Sequence, residues 1–127
     1  MNGPKDLRFE RAKFLMEHEE DLRKSRTADA LNDAPLRLRR LGLPLAVATW
    51  SREGRRELIS LLAEWLFRSW GALGVQAVPE TAAALLQKVQ DLRETQPMVS
   101  AMELEAERFL QAAKLLSGAY TGKSNER

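Results

Sequence analysis

The sequence predicts an all-α fold: a single compact helical bundle of about five to six helices around a central, mostly buried helix. Three observations carry that expectation. No segment alternates apolar and polar side chains over the length of a strand, no Asn-Gly or Asp-Gly pair marks a hairpin, and apolar residues recur instead at spacings of three and four. With 127 residues, 44% apolar and 30% charged, the chain suits one domain that buries about two-thirds of its unfolded surface. The domain is expected over residues 1–120, with 121–127 a polar, disordered tail.

The first helix is expected from Lys5 to Lys24, with a core stripe of Phe9, Ala12, Leu15, Met16 and Leu22. At 100° per residue Leu7, Phe14 and His18 fall on another face, which makes them candidates for a partner interface. Glu19 with Arg23 and Glu20 with Lys24 are i,i+4 pairs in the favourable order, so the acidic run from Glu17 to Asp21 reads as a solvated face. A short helix follows over Ala34 to Leu41, with Asp33 as N-cap, Pro35 in the first turn and Gly42 at the far end. Ala34, Leu38 and Leu41 share its inner side, and Arg39 and Arg40 its outer side.

After Leu43-Pro44 a second short helix runs to Trp50, and Ser51 is the expected cap of a longer one from Arg52 to Leu73. On that helix Glu57, Ser60, Glu64, Arg68 and Gly71 form one narrow polar stripe, and apolar side chains cover the rest, as expected of a helix surrounded by others. Gly71 and Gly74 end it. Pro79 starts the next, with Ala82, Leu85, Val89 and Leu92 inward, and Gln96-Pro97 breaks it. Ser100 and Glu103 have the spacing of a capping box for a last helix, in which Met102, Ala106, Phe109, Ala113 and Leu116 dock on the core.

Catalytic chemistry finds little to use. The absence of cysteine excludes disulfides, thiolate metal sites and a Cys nucleophile, and points to a reducing cytosol. His18 is the one histidine, and it lacks the second histidine of a zinc-protease helix. Gly118 to Ser124 nearly spells a phosphate loop, but three residues separate its glycines where four are needed, and it follows a helix instead of preceding one. Glu103, Glu105 and Glu107 sit in the expected first turns of the last helix, where acids favour the positive end of the macrodipole. Trp50, Trp65 and Trp70 are expected in the core and not as base-stacking platforms. The chain is therefore expected to be no enzyme and to need no cofactor or metal. No export signal opens it and no run reaches the ~18 apolar residues of a membrane span, so a cytoplasmic protein is expected.

Charge is the informative feature. The chain carries +2 overall, but between Pro35 and Arg56 the six residues Arg37, Arg39, Arg40, Arg52, Arg55 and Arg56 face one acid, Glu53, a local charge of +5. Crowding of this kind costs self-repulsion that an anionic partner relieves. Arginine, outnumbering lysine 14 to six, favours bidentate phosphate contacts. These six arginines are the candidate nucleic-acid surface, with Arg23, Lys24 and Arg26 as secondary candidates. The same segment could be a helix-turn-helix that binds DNA, but its second helix, Leu45 to Trp50, has only Thr49 to read a base edge. A helical protein-interaction adaptor is a third possibility.

Three stretches resemble the small subunit of Cmr-type, type III-B, CRISPR effector complexes. Asp6-x-x-Phe9-x-Arg11-Ala12-Lys13 is similar to that family's opening helix. Pro35-Leu-Arg-Leu38-Arg-Arg-Leu-Gly42-Leu43-x-x-Ala46-x-x-x-Trp50 is similar to its Pro-led helix, Gly-Leu junction and second apolar helix. Glu105-Ala106-x-x-Phe109-Leu110-x-x-x-Lys114 is similar to its closing helix, although the aromatic usual near Ala112 is missing and the following basic pair is reduced to Lys114. The resemblance implies a short all-α, non-catalytic subunit of an antiviral RNA-guided complex. Its copies would stack beside the backbone subunits that cleave the target, with the guide RNA, the target RNA, the other subunits and further copies of itself as partners.

Overall fold

The computed structural model of the protein describes residues 7–69, 86–87 and 96–122. Among the described residues no strand occurs, and the helices follow in the order α1 (Leu7–Glu17), α2 (Glu19–Leu22), α3 (Ser25–Leu31), α4 (Ala34–Leu41), α5 (Leu43–Arg52), α6 (Arg56–Ser69) and α7 (Gln96–Thr121). One apolar core joins them. The all-α expectation holds.

The N-terminal region departs from its expected shape in two ways. The chain breaks at His18 (φ −110°, ψ 31°), where the backbone N–H bonds Leu15 O, so α1 and α2 replace one continuous helix. Its phase also differs: Phe9 and Met16 are 64% and 52% exposed, whereas Phe14, Leu15 and Leu22 are buried. Phe14 is therefore a core residue and not an interface residue, its ring centred 5.3 Å from Trp65 and 5.8 Å from Phe109. The physical reason is Arg11, which lies on the Phe14 face and is buried against an acid of α7, so the inner stripe contains a charge. His18 likewise turns inward. Its ring stacks on Phe14 at 4.3 Å, Nδ1 lies 2.9 Å from Phe14 O and Nε2 3.5 Å from Glu64. The side chain of Leu7 lies outside the described residues.

Helix α4 has the bounds its sequence predicts, although Asp33 makes no capping bond and instead pairs with Arg37 at 2.8 Å. Leu41, expected inward, is 40% exposed. Gly42 then adopts φ 81°, ψ 164°, a conformation open to glycine, and serves two helices at once: its N–H bonds Leu38 O at 2.8 Å and its carbonyl accepts from Ala46 at 3.0 Å. Ser51 lies inside α5 and caps nothing; a turn through Glu53 and Gly54 (φ 75°) follows, and α6 opens at Arg56.

The wide apolar arc of α6 is buried as expected, with Leu58, Leu61, Leu62, Trp65 and Leu66 at most 3% exposed. Even Glu57, Ser60 and Glu64 of its polar stripe are only partly exposed. The helix expected after Pro79 lies outside the described residues except for Leu86 and Gln87, of which Leu86 packs against the core. Helix α7 starts before the expected capping box, with Pro97 tolerated in its first turn and Ser100 in its interior. Its seam is as read: Met102, Ala106, Phe109 and Ala113 are at most 1% exposed and Leu116 packs beside them. Helix α7 touches α1, α2, α3, α4 and α6, so it shares the central place expected of α6 alone. It runs through Thr121, the first residue of the expected tail; residues 123–127 lie outside the described residues.

Candidate nucleic-acid interface

The six arginines divide by where the fold puts them. Arg37 reaches from α4 to the α5–α6 turn, donating to both carboxylate oxygens of Glu53 at 2.9 and 3.0 Å, and also to Asp33. The Glu53 hydrogen bond above all, and Asp33 after it, raise its pKa further above the ordinary guanidinium value, against the opposing effect of burial. Arg55 approaches the same Glu53 at 3.7 Å. Arg39 leaves the group. It turns to α7, where Nε at 3.0 Å and Nη2 both donate to Glu107, and that bond raises its pKa. Arg40, Arg52 and Arg56 are exposed, with no ion partner among the described residues.

The secondary candidates divide as well. Arg23 pairs with Glu19 at 2.6 Å, donates to Tyr120 O at 3.0 Å and lies 5.3 Å over the Tyr120 ring, and Lys24 pairs with Asp21 at 3.1 Å. Both carry local ion pairs, and their side chains stay about half exposed. Arg26 instead donates to Gly54 O at 3.1 Å, which brings it to the α5–α6 turn from α3.

The turn is thus the focus of the basic surface. Arg26 and Arg37 bond to it from two other helices, Arg52, Arg55 and Arg56 flank it in sequence, and Arg40 lies one helical turn beyond Arg37. Against these six cations stand Asp33 and Glu53. Arg26 is a secondary candidate of the sequence, but its meeting with the turn spans 28 residues, which no local spacing encodes. The arrangement suits a run of phosphates, since guanidinium groups spread over four helices and a turn can each meet a backbone phosphate.

Other chemistry is less favoured by the geometry. Each acid of the Glu103, Glu105, Glu107 series takes a partner across the fold and not the macrodipole of its own helix. Glu103 accepts from the Leu43 N–H at 2.7 Å, Glu105 from Arg11 and from Trp65 Nε1 at 2.9 Å, and Glu107 from Arg39. Among the described residues, no group of three His, Asp or Glu side chains is placed to hold a metal ion, and no helix is long and apolar enough to cross a membrane. Trp50 and Trp65 are 1% and 3% exposed, so neither offers a ring for stacking; Trp70 lies outside the described residues. Comparison with protein-family models, curated proteins and solved structures gives no match.

Proposed function

We propose that the protein is a non-catalytic small subunit of an RNA-guided, RNA-targeting CRISPR effector complex of the Cmr type, acting in antiviral defence. In that role it braces the assembly and lays the arginines of the α5–α6 turn along guide or target RNA. One observation carries the proposal: the three stretches that resemble the family are joined in space. Arg11 of the first bonds Glu105 of the third at 2.7 and 2.8 Å, and Leu43 of the second bonds Glu103, two positions before the third, at 2.7 Å. Motifs that are short and degenerate one by one are thereby tied together by buried and part-buried polar contacts, with a basic turn at their edge.

The helix-turn-helix alternative is supported less. Thr49, its one base-reading side chain, donates its hydroxyl to Leu45 O at 2.8 Å, and the exposed positions of α5 before Ser51 are Pro44, Leu45 and Ala48. The test is reconstitution: the protein co-expressed with the other subunits of a type III-B effector and a guide RNA, then isolated through a tag on a backbone subunit. Recovery in the complex with protected guide RNA is expected. A complex that forms without it, or tighter binding to duplex DNA than to RNA at matched salt, would overturn the proposal.

A further inference from the structure

A second surface adjoins the basic turn along α4 and shares Arg40 with it. Between α4 and α7 is a concavity of about 530 Å³ whose walls include Pro35, Leu36 and Arg39 on one side and Gln111, Lys114 and Leu115 on the other. Leu36 is 49% and Leu115 70% exposed, so each wall presents a large apolar side chain to water. A smaller hollow of about 270 Å³ adjoins it across Leu36 and adds Arg37, Arg40 and Leu41, the last 40% exposed. Facing leucines across a groove are the receptor half of helix-in-groove recognition.

The charges around the groove select the occupant. The acids here are spent within the fold: Asp33 on Arg37 and Glu107 on Arg39. The cations Lys114 and Arg40 are exposed and have no ion partner among the described residues. We infer that the α4–α7 groove docks an amphipathic helix of a protein partner, its apolar stripe between Leu36 and Leu115 and its flanking glutamates or aspartates against Lys114 and Arg40. RNA fits less well, since among the described residues no aromatic ring lines the groove, and exposed leucines gain nothing from phosphate. The inference stands independently of the proposed function.

The test uses the full chain and two fluorescein-labelled helical peptides with the same leucine stripe, one with glutamate and one with lysine at the remaining positions. Anisotropy should show the glutamate peptide bound and the lysine peptide free, with Leu115→Asp or Lys114→Glu weakening the first roughly tenfold or more. Arg52→Glu with Arg56→Glu, at the turn, should leave it unchanged. Leu115 and Lys114 are exposed, so the variants should fold, which circular dichroism checks. No binding of the glutamate peptide, equal binding of both peptides, or loss only with the turn variant would overturn the inference. So would displacement by RNA, or self-association of the chain that Leu115→Asp abolishes, since the groove would then serve nucleic acid or a second copy.

Discussion

Arg11 and Glu105, 94 positions apart, clasp each other inside the bundle: Nε donates to Oε2 at 2.8 Å and Nη2 to Oε1 at 2.7 Å, with both side chains under one-tenth exposed. Trp65 Nε1 donates to the same carboxylate, so α1, α6 and α7 share one buried polar node. A buried pair is a weak source of net stability, but breaking it strands a charge. Arg11→Met and Glu105→Gln should each lower stability by about 3–5 kcal/mol in urea unfolding. Arg11→Met with Glu105→Leu should recover much of that loss, short of the bond that Trp65 forfeits. A double variant as unstable as the sum of Arg11→Met and Glu105→Leu made singly would mean the node is not coupled.

Gly42 joins α4 to α5 at φ 81°, and a Cβ there would come 3.3 Å from Glu103 Oε2, the atom that accepts the Leu43 N–H. Gly42→Ala should therefore cost about 1–3 kcal/mol through the backbone alone, read as a lowered Tm. Glu103→Ala should cost about 0.5–2 kcal/mol, as for loss of a helix cap, because it leaves the first N–H of α5 without its acceptor. The two should not add fully, since they act on one junction.

The phase of α1 predicts opposite outcomes for two phenylalanines five residues apart. Phe14, 2% exposed between Trp65 and Phe109, should cost about 3–5 kcal/mol as Phe14→Ala. Phe9, 64% exposed, should change the unfolding free energy by no more than about 0.5 kcal/mol as Phe9→Ser. Equal losses at both positions would show that the inner face of α1 is wider than Arg11, Phe14 and Leu15.

Those two residues also show what the sequence made legible. Helix α4 could be bounded because Pro35 and Gly42 act locally, and the α7 seam because Met102, Ala106, Phe109 and Ala113 are uniformly apolar at helical spacing. In α1 two apolar stripes compete, and the true one is disguised by Arg11, whose partner is remote in sequence. Ser51 and Ser100 match capping patterns, yet Glu103, the acid half of the expected box, bonds the start of another helix. The arginine cluster was visible as composition. Which of its members are free was not, because Glu107 and Glu53 claim Arg39 and Arg37 through contacts that no local spacing encodes.

That division of the arginines sets the test of the proposed RNA contact. Arg40, Arg52 and Arg56 have no ion partner among the described residues, so their replacement removes cations without exposing buried acids. If each neutralises one phosphate of a single strand, the triple alanine variant should flatten the salt dependence of binding by about 0.7 per lost contact, roughly two units in all. Its urea midpoint should be unchanged, since substitutions at exposed, unpaired positions stay within about 0.5 kcal/mol. Arg39→Ala should behave in the reverse sense, leaving the salt slope intact while releasing Glu107. Homopolymers of different base should bind the native chain alike, because phosphate contacts carry no sequence information. Fluorescence anisotropy with a labelled single-stranded RNA, titrated at several salt concentrations, measures all of these. Should the triple variant keep its slope and Arg39→Ala lose it, the phosphate-tracking surface lies on the α4–α7 side of the molecule, and the turn is ordinary solvated surface.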